Sequence, residues 1–258
     1  MEQYKALVTA LMEKGIRHDG RALFDYRPIE VEVNPIPRAN GSARVKIGET
    51  DVIVGVKFDV DAPFPDTPEE GILIVNAELF PMASPEFEPG PPGPEAVELA
   101  RVVDRGIRES GCIDFSKLCI KPKEKVWVVF VDIYPVNDGG NLFDASSLAA
   151  IIALKNAVMP KYDEKEGVVL YKELTKKKLE LTKIPILTTF IKISNFLAVD
   201  PDRQEEKVFD ARLSISTLPD GKVAAMQKGG FGTFTKEEVL NLLEKAKEKG
   251  AQLRKFVA

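Results

Sequence analysis

The chain has 258 residues, 44% of them hydrophobic, and a formal net charge of −4. That length holds one sizeable domain or two small ones around a proper core, and the acidic balance excludes a protein that coats nucleic acid over its whole surface while leaving room for a local basic patch. Cys112, Cys119 and His18 are too few for a zinc site. With no secretory segment at the start and no apolar run of the roughly 18 residues a membrane helix needs, the expectation is a cytoplasmic protein with reduced thiols, no metal, no cofactor and no membrane partner.

In chain order, Tyr4, Leu7, Val8 and Leu11 recur at helical spacing, and Gly15 closes that amphipathic helix. R-H-D-G-R (17–21) leads into strand alternation at 29–33 and 43–47. G-E-T-D (48–51) reads as a hairpin turn into a strand over 51–60, whose two apolar or small faces suit burial in a sheet or against another chain. A further strand covers 72–79. The proline density of 81–94 forbids helix or central strand, so the segment is an exposed extended loop, equally a stiff spacer or the lining of a site. A helix follows over 95–110, with Val97, Ala100, Val103 and Ile107 as its core side.

A very apolar strand (126–134) then ends in glycines. After N-D-G-G-N-L-F-D-A-S-S (137–147), a helix that is apolar almost all round opens at Asp144 or Ala145 and must be buried on most sides. Residues 159–185 are charged and read as an exposed hairpin or connector. Strands at 186–193, 196–199, 208–217 and 222–227 follow, and the capping box T-K-E-E (235–238) starts a terminal amphipathic helix through Val239, Leu242, Leu243 and Ala246. No composition break isolates a second domain and there is no repeat, so the reading is one α+β domain over residues 1–258.

Two constellations carry chemistry. A glycine turn feeding a helix is a ready anion pocket, because free N–H groups and the helix dipole favour negative charge there. Here the position where a cation would hold a phosphate is apolar, at Leu142, and the carboxylate of Asp144 stands just beyond and caps the helix. On the 95–110 helix, Arg101, Arg105 and Arg108 share one stripe opposite the core side. Guanidiniums suit phosphate, yet Glu98 and Asp104 stand where they could bridge to Arg101 and Arg108. Composition alone favours that ordinary salt-bridge reading. Weaker candidates are Arg17 and Arg21, whose pairing with Asp19 would fix the Asp–Gly turn; His18, which stands alone; and G-G-F-G (229–232), which serves as a turn before the terminal helix.

The ordered set of R-H-D-G-R (17–21), N-G-S-A (40–43), the Pro-rich loop, D-G-G-N (138–141) and L-A-V-D-P with Glu205 and Glu206 resembles the RNase PH family of phosphorolytic exoribonucleases over nearly the whole chain. E-P-G-P-P-G-P-E-A-V-E-L-A-R-V-V-D-R (88–105) looks especially like the non-catalytic ring subunits of archaeal exosomes in that family. The resemblance implies a fold of mixed and antiparallel sheets packed with helices. It also implies a chemistry in which phosphate attacks the terminal phosphodiester at an RNA 3′ end. That reaction needs donors and a cation for the phosphate, a carboxylic acid for the leaving oxygen and arginines for the RNA backbone. Where catalytic members carry a hydroxyl–arginine pair, this chain has Asn141 and Leu142. Where they carry the catalytic aspartate, it has Arg212, which stays charged at neutral pH and cannot serve as an acid.

Asp210, two residues earlier and on the same strand face, becomes the acid if the register slips; otherwise it pairs with Arg212 or a neighbouring chain. The resemblance turns Arg101 and Arg105, with Arg108 beside them, into candidate contacts for single-stranded RNA. It implies no catalytic residue in this chain. The expected assembly is a hexameric ring of three heterodimers with a catalytic RNase PH-like paralogue, carrying RNA-binding cap subunits. The alternatives are a phosphorolytic 3′–5′ exoribonuclease using Asp210, and a scaffold whose arginine stripe forms only salt bridges.

Overall fold

The computed structural model describes residues 2–257. Helix α1 (Glu2–Met12) is followed by strands β1 (Ile29–Val33), β2 (Gly41–Ile47), β3 (Thr50–Asp61) and β4 (Ile72–Ala77), then helix α2 (Pro94–Arg108). Next come β5 (Cys119–Lys121), β6 (Lys125–Asn137), helix α3 (Leu142–Asn156) and the pair β7 (Val158–Asp163) and β8 (Val168–Lys178). The chain ends with β9 (Ile186–Ile193), β10 (Phe196–Val199), the short helix α4 (Arg203–Glu206), β11 (Ala211–Thr217), β12 (Val223–Gly229) and helix α5 (Lys236–Leu253). No helix among the described residues is long and apolar enough to cross a membrane.

These elements make a mixed α+β architecture. The larger sheet has the order β1-β2-β3-β6-β4, with β5 on β6. Its pairings are antiparallel except that β4 runs parallel to β6. The β2–β3 turn is the expected hairpin: Ile47 faces Thr50, and Gly48 takes φ 57° at the first turn position, the left-handed slot that glycine fills without strain. The second sheet, β10-β9-β11-β12, is antiparallel throughout. The charged segment after α3 forms the exposed two-stranded β7–β8 hairpin.

Helix α3 joins the two sheets. Every residue from Phe143 to Leu154 is buried, as its all-round apolar surface requires. Its side chains share one hydrophobic cluster with Val45, Val54 and Val129 of the larger sheet and with Ile186 and Leu187 of the smaller. Gly41 lets β2 approach the helix end, since a side chain there would meet the Ala153 carbonyl at 2.3 Å. The N- and C-terminal helices pack on the smaller sheet through Val8 and Met12 of α1 and Leu242 and Ala246 of α5.

Several boundaries and facings differ from the periodicity reading. Val97 is 46% exposed, and the buried side of α2 is instead Ala96, Leu99, Ala100, Val103 and Ile107. Leu7 is likewise exposed, and Met12 takes its place beneath α1. The strand expected over 208–217 begins only at Ala211, because Asp202 opens a capped turn of helix just before it. Helix α3 starts at Leu142, ahead of the expected Asp144 or Ala145.

Candidate functional site

Strand β6 delivers the chain to Asp138, Gly139 and Gly140 at the edge of α3. Gly140 takes φ 91°, and a side chain there would strike the Arg203 amide at 2.4 Å, so the turn is pressed against the start of α4. Asn141 follows in the left-handed region at φ 56°, and its side chain, not that of Asp144, accepts from the first turn of α3. Asp144 is therefore no helix cap. Its carboxylate is fully buried and accepts from the Tyr26 hydroxyl (2.6 Å), the Asn141 amide group (2.9 Å) and the Thr189 N–H (3.0 Å). Burial pushes its pKa up to about 6 despite these donors.

The anion position beside the glycines is filled from within the chain. The Asn141 N–H donates to Glu206 Oε1 at 2.8 Å, so a carboxylate from α4 sits where the helix start can hold an anion. Only 17% of the Glu206 side chain is exposed. Burial raises its pKa to about 7, the charge of Asp138 adds to the rise, and the Asn141 N–H, Arg203 and Arg212 oppose it. Leu142, the residue expected at the cation position, is partly buried against the main core.

Around this point lies a buried polar hub that the local sequence reading did not foresee. Asp200 accepts from the Arg27 backbone N–H (2.9 Å), Arg27 Nε (2.9 Å) and Nη2 (2.8 Å), Arg21 Nη1 (2.9 Å) and Asn141 Nδ2 (2.8 Å). Burial alone would raise its pKa, but the Arg27 hydrogen bonds and charge win and hold it below the ordinary carboxylate value. Arg27 also donates to the carbonyls of Gly139 (2.7 Å) and Gly140 (3.1 Å), tying the glycine turn to the loop before β1. Arg17 is buried and forks onto Glu205, with further bonds to the Val199 and Asp200 carbonyls. Arg21 also binds Asp19, as expected for the Asp–Gly turn.

His18 has partners after all: its ligand atom lies with those of Asp202 and Glu205 within 4.8 Å. Glu205 is already bound by Arg17, and Asp202 caps α4, so the donors of this group are committed to the fold.

Asp210 and Arg212 neither pair with each other nor work on the same surface. Asp210 precedes β11 and is held by Lys5 and by the Ser194 N–H (2.7 Å), contacts that keep its pKa low despite partial burial. Arg212 turns the other way. It pairs with Glu98 of α2 and lies 4.2 Å above the Phe143 ring. Gly229, its register partner on β12, leaves room for this path: a side chain there would meet the guanidinium at 2.6 Å. Glu98 is thus taken by Arg212, and the Glu98–Arg101 bridge of the ordinary salt-bridge reading does not form.

Arg101, Arg105 and Arg108 are all exposed on α2. Arg108 donates to Asp104 (3.0 and 2.6 Å) and to the Leu73 carbonyl (3.0 Å). Among the described residues Arg101 and Arg105 have no ion pair, and Arg105 lies beside Met226 and Gln227 of β12.

Comparison with known proteins agrees with this layout. The 3′ exoribonuclease family, domain 1, matches residues 25–160, and domain 2 of the same family matches residues 183–249. The chain is 48% identical over 252 residues to the exosome complex component Rrp42 of Thermococcus onnurineus, covering 97% of this chain and 92% of that protein. It is 49% identical over 249 residues to the Rrp42 of Pyrococcus horikoshii, covering 96% and 90%. Among solved structures, a chain of the Archaeoglobus fulgidus exosome with RNA bound to the active site superposes with a TM-score of 0.91 at 44% identity, covering 98% of this chain and 97% of that one. Rice Rrp46 superposes at 0.70 with 18% identity over 93% and 98%, a likeness of fold. The chain belongs to the RNase PH family of 3′ exoribonucleases.

Proposed function

We propose that this chain is a non-catalytic subunit of an exosome, alternating with a catalytic RNase PH-like paralogue as three heterodimers in a hexameric ring. The observation that carries the reading is the Asn141 N–H bound to Glu206: the helix start after the glycine turn, where a phosphate would be held, already holds the chain's own carboxylate. Leu142 supplies no cation, Arg212 cannot donate a proton, and Asp210 is ionised and engaged by Lys5 on another surface. The enzymatic reading through Asp210 therefore lacks both an acid and a place for phosphate.

What the chain offers instead is Arg101 and Arg105, exposed on α2 and free of acidic partners among the described residues, with Arg105 beside β12, as grips for the phosphates of single-stranded RNA on its way to the paralogue's site. Arg108, engaged by Asp104 and Leu73, contributes to α2 and only weakly to RNA. The setting is the cytoplasm, and RNA-binding cap subunits sit on the ring. Relatives named as exosome components and a structural neighbour from an RNA-bound exosome support this assignment.

The test is release of nucleoside diphosphate from a 3′-extended RNA in phosphate buffer. The chain alone is expected to be silent, and mixing it with the paralogue is expected to raise activity above the paralogue's own. Release by the chain alone, abolished by Asp210→Ala, would sink the proposal.

A further inference from the structure

Among the described residues strand β4 is an open edge of the larger sheet, paired with β6 alone. Alternate residues of a parallel strand turn their backbone groups to opposite sides. The Glu78 N–H bonds the Ile133 carbonyl toward β6, whereas the Leu73 carbonyl points outward and takes the Arg108 guanidinium. Val75 and Ala77 follow Leu73 in that outward phase. Their N–H and C=O groups are the unpaired part of the edge, and they line a groove of about 1020 Å³.

The opposite wall of the groove is the Pro-rich loop and the first turns of α2. Pro89, Pro91, Pro92 and Pro94 offer carbonyl acceptors and no N–H donors. Apolar surface is exposed at Phe80 and Val97. The charge is one-sided: Glu78, Glu86, Glu88 and Glu95 line the groove against a single cation, Arg101, at its end. Glu86 is bound by Arg203 and Lys207, while Glu78, Glu88 and Glu95 have no cationic partner among the described residues.

An edge strand with free backbone groups selects an extended chain. Acceptors without donors, plus three unpaired carboxylates, select lysine or arginine on it and repel nucleic acid phosphate. We propose that this groove receives an extended basic segment of a protein partner. The segment adds as a strand along Val75 and Ala77, lays apolar side chains on Phe80 and Val97, and sets its cations against Glu78, Glu88 and Glu95. Arg101 closes one end of this groove and so borders both contacts, whereas Arg105 lies outside it beside β12; protection of Val75 and Ala77 reads the groove independently of the RNA contact.

The experiment titrates the full chain with a short peptide of alternating Val and Arg, following amide hydrogen exchange residue by residue. Controls are the Val–Glu counterpart, the Val–Arg peptide N-methylated at alternate residues, and a short single-stranded RNA. The Val–Arg peptide is expected to bind and to slow exchange at Val75 and Ala77. N-methylation removes that protection, and the triple change Glu78→Gln, Glu88→Gln and Glu95→Gln weakens binding by about tenfold. Failure of the Val–Arg peptide to protect Val75 and Ala77, or equal binding of the Val–Glu peptide, overturns the proposal. Protection of the same two amides by RNA overturns it in favour of a nucleic acid groove.

Discussion

Replacing Arg27 with Met tests whether the polar hub holds the two sheets together. The change keeps most of the side-chain volume but takes the guanidinium from Asp200, whose side chain is fully buried. Breaking a buried ion pair from one side costs about 3–5 kcal/mol, because the remaining charge is stranded. Arg21 and Asn141 still donate to Asp200, which lowers that cost. The Gly139 and Gly140 carbonyls also lose their donor, which raises it. We expect a net loss of about 3 kcal/mol in urea unfolding at pH 7, with an unchanged dependence on denaturant.

The loss should also depend on pH in a definite sense. In the native chain Asp200 is held below its ordinary value, so its contribution is present above about pH 4 and is lost as pH falls through the depressed folded value. Without Arg27, burial becomes the larger influence and the Asp200 pKa rises. The variant then gains on the native chain as pH falls from 7 toward 4. The double variant Arg27→Met/Asp200→Asn should recover part of the loss at pH 7. A loss below about 1 kcal/mol, or a gap that stays constant with pH, refutes the account of a charge stranded at the hub.

Three further outcomes follow from the same geometry. Glu206 has a folded pKa of about 7, above its ordinary value, so its share of stability is complete below about pH 4 and drains away as pH rises through 7. Glu206→Gln should flatten that slope and gain up to about 3 kcal/mol at pH 8, read by thermal or urea unfolding across pH. Changing Arg101 and Arg105 together to Ala should weaken RNA binding by the assembled ring and reduce the salt slope by about 1.4, two phosphate contacts on a single strand, while Arg108→Ala barely moves it. Restoring a hydroxyl–arginine pair with Asn141→Ser and Leu142→Arg should leave phosphate binding undetectable by isothermal titration while Glu206 still fills the site.

Most of the architecture was legible because it is written locally. The β2–β3 hairpin follows from a glycine at the left-handed turn position, α5 from its capping box, and the buried α3 from an apolar surface on every side. Errors fell where neighbours decide. Val97 has the periodicity of a core residue but lies beside the open groove, so nothing covers it. The start of β11 was read too early because Asp202 caps a helical turn whose tertiary partner, Arg17, lies far off in sequence.

At the site, the types of the residues were readable and their partners were not. Asp210 and Arg212, two apart, were expected on one strand face, yet Asp210 stands before the strand begins and bonds Lys5, while Arg212 crosses Gly229 to reach Glu98. The opening carboxylate of α3 was expected to fill the anion position from one turn away; the group that fills it is Glu206, from another element. The physical reason is general. A buried N–H at a helix start must have an acceptor whether or not a ligand ever arrives. With Leu142 giving no cation to hold a free phosphate, a tethered carboxylate is the cheaper acceptor, since it loses no translational freedom on arriving there. Glu206 remains strained by its burial and by Asp138, which is why its proton affinity is raised. Relieving that strain with glutamine should therefore stabilise the fold without reopening the cradle, because the amide oxygen still accepts from Asn141. Tighter phosphate binding by Glu206→Gln would mean that charge alone, and not occupancy, keeps the anion out.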